Sequence, residues 1–165
     1  MNNYQRILVL GSPGSGKSTL TKQIAQKRQL SIISLDSLFW LDDEKTITTE
    51  ELKAKLIPLM KEKYWIMDGN FASTLPQRLE QADLVIYLKV PRLIAMYRVL
   101  KRYLHYRGRK NPSGNPDRMD LEFLRYIWDF PKSQEPLVKK YLAQHPDIYC
   151  FKAHNAQEVF EHFRW

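Results

Sequence analysis

Gly11-Ser12-Pro13-Gly14-Ser15-Gly16-Lys17-Ser18 has the spacing G-x-x-x-x-G-K-S, and each of its residue types suits one task at a bound phosphate chain. Glycines let the backbone curl until successive N–H groups converge on an anion, and the helix that follows adds its own N-terminal N–H groups, Thr19 among the first. Lys17 is placed to reach the outer phosphates, and the Ser18 hydroxyl is a hard ligand for Mg²⁺. Three of the chain's six glycines lie in this stretch. The bland alternative is a glycine-rich turn with an incidental lysine, but the full pattern in its strand-to-helix setting points to a nucleoside triphosphate.

Two carboxylates stand where such a loop would need them. Asp68 is assigned to Mg²⁺ beside the loop, and Asp36 to activating or orienting an acceptor hydroxyl. Their structural alternatives are a turn residue in Asp68-Gly69 and a helix cap before Ser37-Leu38-Phe39. Arg98 and Arg102 are four apart and so share a helix face, with Arg107 and Arg109 just beyond; an arginine brought over a moving phosphoryl group stabilises its charge. A solvated basic helix is the alternative for these four. Arg118 and Arg125 are secondary candidates.

These residues require particular elements. Arg6-Ile7-Leu8-Val9-Leu10 reads as a buried parallel strand ending at Gly11, and Leu20 and Ile24 mark a helix from Lys17 to Arg28. Ser31 to Leu35 is a second strand. A helix capped by Thr48 or Thr49 then runs to about Lys61 with Leu52, Leu56 and Leu59 inward and a kink at Pro58. Tyr64 to Met67 is a third strand, Leu75 to Gln81 a short helix, and Asp83 to Leu88 a fourth strand. A helix opens at Pro91 and runs through Tyr106, with Ile94, Tyr97 and Leu100 on one side and Leu104 in the same series. Arg107 to Arg118, with Gly108, Pro112, Gly114 and Pro116, reads as a loop before a long helix from near Met119. Asp147 to Phe151 is a fifth strand and Gln157 to Trp165 a final helix. Alternating strands and helices predict an α/β/α protein with a parallel sheet covered on both faces, in one domain spanning residues 1–165.

Composition excludes whole classes. With 44% hydrophobic and 27% charged residues the chain is neither disordered nor collagenous. No apolar run approaches the ~18 residues of a membrane span. A single cysteine, Cys150, and no secretory leader predict a reducing, cytoplasmic setting without a membrane. A formal charge of +8 favours a polyanionic partner. Lys101, Tyr103, His105, Tyr106 and Lys110 keep a nucleic-acid surface open, against which Tyr97, Leu100 and Leu104 at helical spacing read as core.

Several segments together resemble a known group. They are the Gly11–Ser18 loop, Leu35-Asp36-Ser37-Leu38-Phe39-Trp40, Trp65-Ile66-Met67-Asp68-Gly69-Asn70-Phe71, Ala82 to Leu88 before the arginine-bearing helix, and Leu124 to Pro131. The chain resembles the adenylate-kinase-like P-loop kinases, and more narrowly the small proteins called FlaR-related or topology-modulation proteins. The resemblance implies a P-loop NTPase sheet of order 2-3-1-4-5 and a lid over ATP at about residues 105–135. It also implies that Lys17 and Ser18 serve phosphate and metal, that Asp36, Trp40 and Asn70 face the acceptor, and that the loop of His154 and Asn155 lies where the adenine sits. Trp40 as packing and Asn155 as a turn residue are the alternatives. The Asp-Gly-x-Pro-Arg stretch of nucleoside monophosphate kinases is here Asp68-Gly69-Asn70-Phe71-Ala72, which leaves a smaller or unphosphorylated acceptor open. The expected activity is an ATP- and Mg²⁺-dependent small-molecule kinase, acting on a nucleoside or nucleotide, as a monomer or homodimer. The alternative is a nucleotide-dependent DNA-binding regulator.

Overall fold

The computed structural model describes residues 4–41, 45–106 and 119–165. Its strands are β1 (Arg6–Gly11), β2 (Ser31–Ser34), β3 (Trp65–Asp68), β4 (Leu84–Leu88) and β5 (Tyr149–Ala153). They form one parallel sheet in the order β2-β3-β1-β4-β5. Asp68 lies in register with both Val9 and Ser34, and Leu88 with both Gly11 and Ala153. The carboxyl ends of all five strands therefore meet at one rim, where ligands of open α/β sheets bind.

The helices are α1 (Lys17–Arg28), α2 (Leu35–Phe39), α3 (Thr49–Met60), α4 (Leu75–Leu79), α5 (Arg92–Tyr106), α6 (Leu121–Ser133), α7 (Glu135–Ala143) and α8 (Ala156–Phe163). Side chains of β1 alternate between two cores. Ile7 and Val9 pack with Leu20 and Ile24 of α1 and Val159 of α8, while Leu8 and Leu10 pack with Leu52 and Leu56 of α3, Leu79 of α4 and Val138 of α7. Thr48 starts α3 through a reciprocal cap: its hydroxyl accepts the Glu51 N–H at 3.2 Å, and its own N–H donates to Glu51 Oε2 at 2.7 Å. Pro58 sits in the last turn of α3, which ends at Met60. No helix among the described residues is long and apolar enough to cross a membrane.

Two expectations need correction. Ile94, Tyr97, Leu100 and Leu104 do not face the core: they are exposed, Tyr97 by 63%. The buried line of α5 is Ala95 and Val99, packed with Ile127 of α6. The cause is the phosphate loop, since a Cβ on Gly14 would stand only 2.3 Å from the Ala95 carbonyl oxygen. A loop residue with a side chain would not fit against that line. The long helix expected from Met119 is two helices: α6 is capped by Asp120, which accepts the Phe123 N–H at 2.7 Å, and α7 begins after Gln134. Pro136, which lacks an N–H, stands in the first turn of α7, where no intrahelical donor is needed. Arg107, Arg109 and Arg118, with the middle of the expected lid, lie outside the described residues.

Candidate active site

The loop between β1 and α1 is built on left-handed backbone. Gly14 has φ 76° and Gly16, the N-cap of α1, has φ 97°. A side chain would be strained at either position. The first turn of α1 contains no acidic residue, so its N–H groups keep their attraction for an anion. Lys17 folds back over its own loop and donates to the carbonyls of Gly11 at 2.8 Å and Ser12 at 2.9 Å. Burial holds its ammonium below the usual lysine range, Asp36 and Asp68 pull it back up, and Arg102 pushes it down. Side chains from α1, α2, β3 and α5 thus share one electrostatic field.

Asp68 closes β3 and is 3% exposed, and its Oδ1 is buried with no hydrogen-bond partner. A buried carboxylate oxygen left without a donor is costly unless a cation or donor arrives. Asp68 and Ser18 line the same cavity of about 430 Å³, together with Thr21, Lys22 and Ser34. Two hard oxygen ligands and an orphaned anionic oxygen suit a small divalent cation that fills its remaining positions from water and phosphate. Among the described residues there is no group of three or more His, Cys, Asp or Glu side chains that could hold a metal by itself.

Asp36 lies in the first turn of α2, half-buried. Its charge reaches Lys17 and also Tyr126 of α6, whose hydroxyl is pushed up to about 12 by burial and then by Asp36. Arg98 donates to the Ser15 carbonyl at 3.3 Å, and Arg102 makes itself felt at Lys17, so α5 lays both arginines against the loop. Trp40 stands beside this region, edge-on to Phe39 at 5.8 Å and bridged to Thr46, while Phe39 meets Phe71 at 4.9 Å.

Two asparagines expected to meet ligands make hydrogen bonds within the protein. Asn70 turns its amide to the loop, donating to the Gly11 carbonyl at 2.8 Å and accepting the Gly11 N–H at 3.2 Å. Asn155 caps α8, accepting the Glu158 N–H at 3.0 Å. Its neighbour His154 lines a second cavity of about 360 Å³ at the ends of β4 and β5, with Ser12, Arg92, Phe130 and Glu135. The sequence reading missed Tyr126 and the wholly buried Arg78. The available signal for Arg78 was a charge set between Leu75 and Leu79 on the apolar side of a short helix.

Comparison with known proteins agrees with the fold. The model of the NB-ARC domain matches residues 1–97. The mitochondrial GTP:AMP phosphotransferase of Saccharomyces cerevisiae is 28% identical over 189 aligned residues, covering 82% of this chain and 84% of the yeast protein. Human adenylate kinase isoenzyme 5 is 30% identical over 93% of this chain, which spans only 31% of that longer protein. Among solved structures, shikimate kinase from Acinetobacter baumannii in complex with shikimate superposes with a TM-score of 0.64 at 16% identity, covering 97% of this chain and 93% of that one, a likeness of fold.

Proposed function

The chain belongs to the P-loop nucleotide-binding family described by the NB-ARC domain, its relatives are phosphotransferases, and from that premise we propose an ATP- and Mg²⁺-dependent kinase of small molecules. Its acceptor in this reading is a nucleoside or nucleotide, and the narrower kinship with FlaR-related proteins belongs to the same proposal. A cytoplasmic monomer or homodimer is the form we assign to it. One observation carries the reading: the charges of Asp36, Asp68 and Arg102 all act on Lys17 at the mouth of the phosphate loop. A loop that only held a nucleotide would not need the second carboxylate.

In the proposed mechanism the loop N–H groups and the start of α1 bind the triphosphate, and Lys17 exchanges the carbonyls of Gly11 and Ser12 for the outer phosphates. Ser18 and Asp68 hold Mg²⁺, which supplies positive charge to the phosphate oxygens. Asp36 accepts the proton of the acceptor hydroxyl as the new oxygen–phosphorus bond forms and the bond to ADP breaks. Arg98 and Arg102, with Arg107 and Arg109 beyond them, stabilise the charge on the phosphoryl group in flight. Trp40 lines the acceptor side, and the backbone around His154 and Asn155 borders the base.

The test is ADP release from Mg²⁺-ATP across nucleosides, nucleoside monophosphates and small hydroxylated metabolites, with Lys17→Ala and Asp36→Ala as controls. A compound that raises turnover only in the native protein identifies the acceptor class. Equal turnover in the Lys17→Ala variant sinks the site assignment.

A second reading has its own observation. α5 contains no acidic residue, and Tyr97 and Leu104, expected in the core, are 63% and 61% exposed beside Lys101. A nucleotide-dependent DNA-binding regulator would use such a cationic, aromatic face. It predicts duplex affinity that falls steeply with salt, and a salt-insensitive interaction would dismiss it.

A further inference from the structure

Arg78 is 0% exposed, and among the described residues no carboxylate pairs with it: burial pushes its pKa down to about 9, still protonated at neutral pH. Backbone takes the place of the missing anion. Nη1 donates to the Gly69 carbonyl at 2.8 Å, and Nη2 donates to the carbonyls of Asn70 at 2.5 Å and Phe71 at 3.1 Å. Three consecutive carbonyls can converge on one group only if the chain bends sharply. Phe71 accordingly sits at φ 24° and ψ 79°, a strained conformation for a side-chain-bearing residue. The planar fork of a guanidinium reaches carbonyls in several directions at once, which a single ammonium nitrogen does not.

The middle residue of the clamped turn is the one that touches the phosphate loop. Asn70 holds both the N–H and the carbonyl of Gly11, and that carbonyl also receives Lys17 Nζ at 2.8 Å. On the other side Phe71 meets Phe39, at the end of the helix that carries Asp36. We propose that Arg78 is a positioning residue: by gathering the carbonyls of residues 69–71 it aims the Asn70 amide, which fixes Gly11 and the place from which Lys17 engages phosphate. Arg78 itself touches none of the reacting groups and acts only through Asn70. The inference deepens the kinase reading and rests on it for nucleotide affinity, but the hydrogen-bonded chain from Arg78 to Gly11 stands on geometry alone.

The experiment compares Arg78→Lys, Asn70→Ala and the double variant in the full chain. Two quantities are read: the dissociation constant of Mg²⁺-ATP by calorimetry, and the exchange rate of the Gly11 amide by NMR without nucleotide. Each single variant is expected to weaken ATP about tenfold and to speed Gly11 exchange about tenfold, with Leu8 and Val9 exchange unchanged. The double variant should be no worse than either single one, because the two residues act in series. Losses that multiply to about a hundredfold in the double variant, or unchanged Gly11 exchange in Arg78→Lys, overturn the proposal. Should Arg78→Lys not fold, Arg78→Met decides: native-like Gly11 exchange there overturns the proposal, and exchange about tenfold faster upholds it. If the native protein bound no ATP the kinase reading would fall, and the exchange rates would still decide the role of Arg78.

Discussion

Gly14→Ala is the substitution that most directly probes how the phosphate loop is seated. The new Cβ would lie 2.3 Å from the Ala95 carbonyl oxygen and 3.0 Å from Val99 Cγ2, at a residue with φ +76°. Placing an L side chain in that left-handed conformation costs roughly 1–2 kcal/mol, and overpacking against backbone adds about 1–3 kcal/mol. To restore an ordinary contact the loop and α5 must part by about 1.1 Å, the difference between 2.3 and 3.4 Å. Arg98 is one turn along from Ala95, and its 3.3 Å bond to Ser15 would then be broken. The control is Gly16→Ala, where φ is +97° but the nearest atom is Arg98 Nη1 at 3.9 Å, so backbone strain acts almost alone. Thermal unfolding followed by circular dichroism should show Gly14→Ala losing about 3 kcal/mol, a Tm fall of about 6–12 °C, and Gly16→Ala roughly half of that. A misplacement of about 1 Å should also cut turnover by about 10²-fold in the Gly14 variant. If Gly14→Ala melted with the native protein, or no lower than Gly16→Ala, the contact between loop and α5 would not be the constraint described.

Further predictions follow from the buried and capping groups. Asp68→Asn removes a buried negative charge with an orphaned oxygen, so the metal-free variant should melt at or above the native temperature while the Mg²⁺ dependence of ATP binding falls at least about tenfold; calorimetric titrations with and without Mg²⁺ check this, and an unchanged dependence counts against the metal assignment. Thr48→Ala should cost about 1 kcal/mol by loss of the cap, read as a lower Tm at pH 7. Thr48 also holds the Glu51 carboxyl below its ordinary 4.5, so that contribution is fully present above pH 4.5 and is lost as pH falls through the lower folded value. The stability gap between native protein and Thr48→Ala should narrow accordingly on acidification below pH 4.5. The Tyr126 hydroxyl is raised from 10 to about 12, so the folded state keeps a proton that the unfolded chain gives up, and stability should fall as pH rises from 10 to 12. Tyr126→Phe should lessen that alkaline loss in melts across the same range.

What could be read from sequence was what depends on neighbours along the chain. The phosphate loop is legible because glycine at left-handed positions, a lysine and a hydroxyl must come in fixed order between a strand and a helix. The cap of α3 is legible in Thr48 and Glu51 for the same reason. The sheet order came from likeness to a known group, since local pattern does not say which strands are neighbours. The inward face of α5 was misread because the helix is apolar on two sides: periodicity groups Tyr97, Leu100 and Leu104, but only Gly14, far away in sequence, selects Ala95 and Val99. Pro136 marks the first turn of α7, but Pro131 lies inside α6, so proline alone does not say where that helix ends. Asn70 pairs with a glycine 59 positions earlier, and Arg78 is buried only because a turn formed by residues 69–71 supplies its three acceptors. An arginine is ordinarily a surface residue, so its one local signal, a place between Leu75 and Leu79 on the apolar side of a short helix, did not by itself put it inside.

The claim at the centre of this account is that the phosphoryl group leaves ATP for a small molecule and not for water. Phosphorus NMR of the native protein incubated with Mg²⁺-ATP and the acceptor panel tests it most directly. The account predicts that ADP appears together with a new phosphate ester, or with a nucleoside diphosphate from a monophosphate, and that neither forms with Lys17→Ala. ADP accompanied only by inorganic phosphate, at one slow rate whatever compound is present, would contradict it and leave the nucleotide-dependent DNA-binding reading in its place.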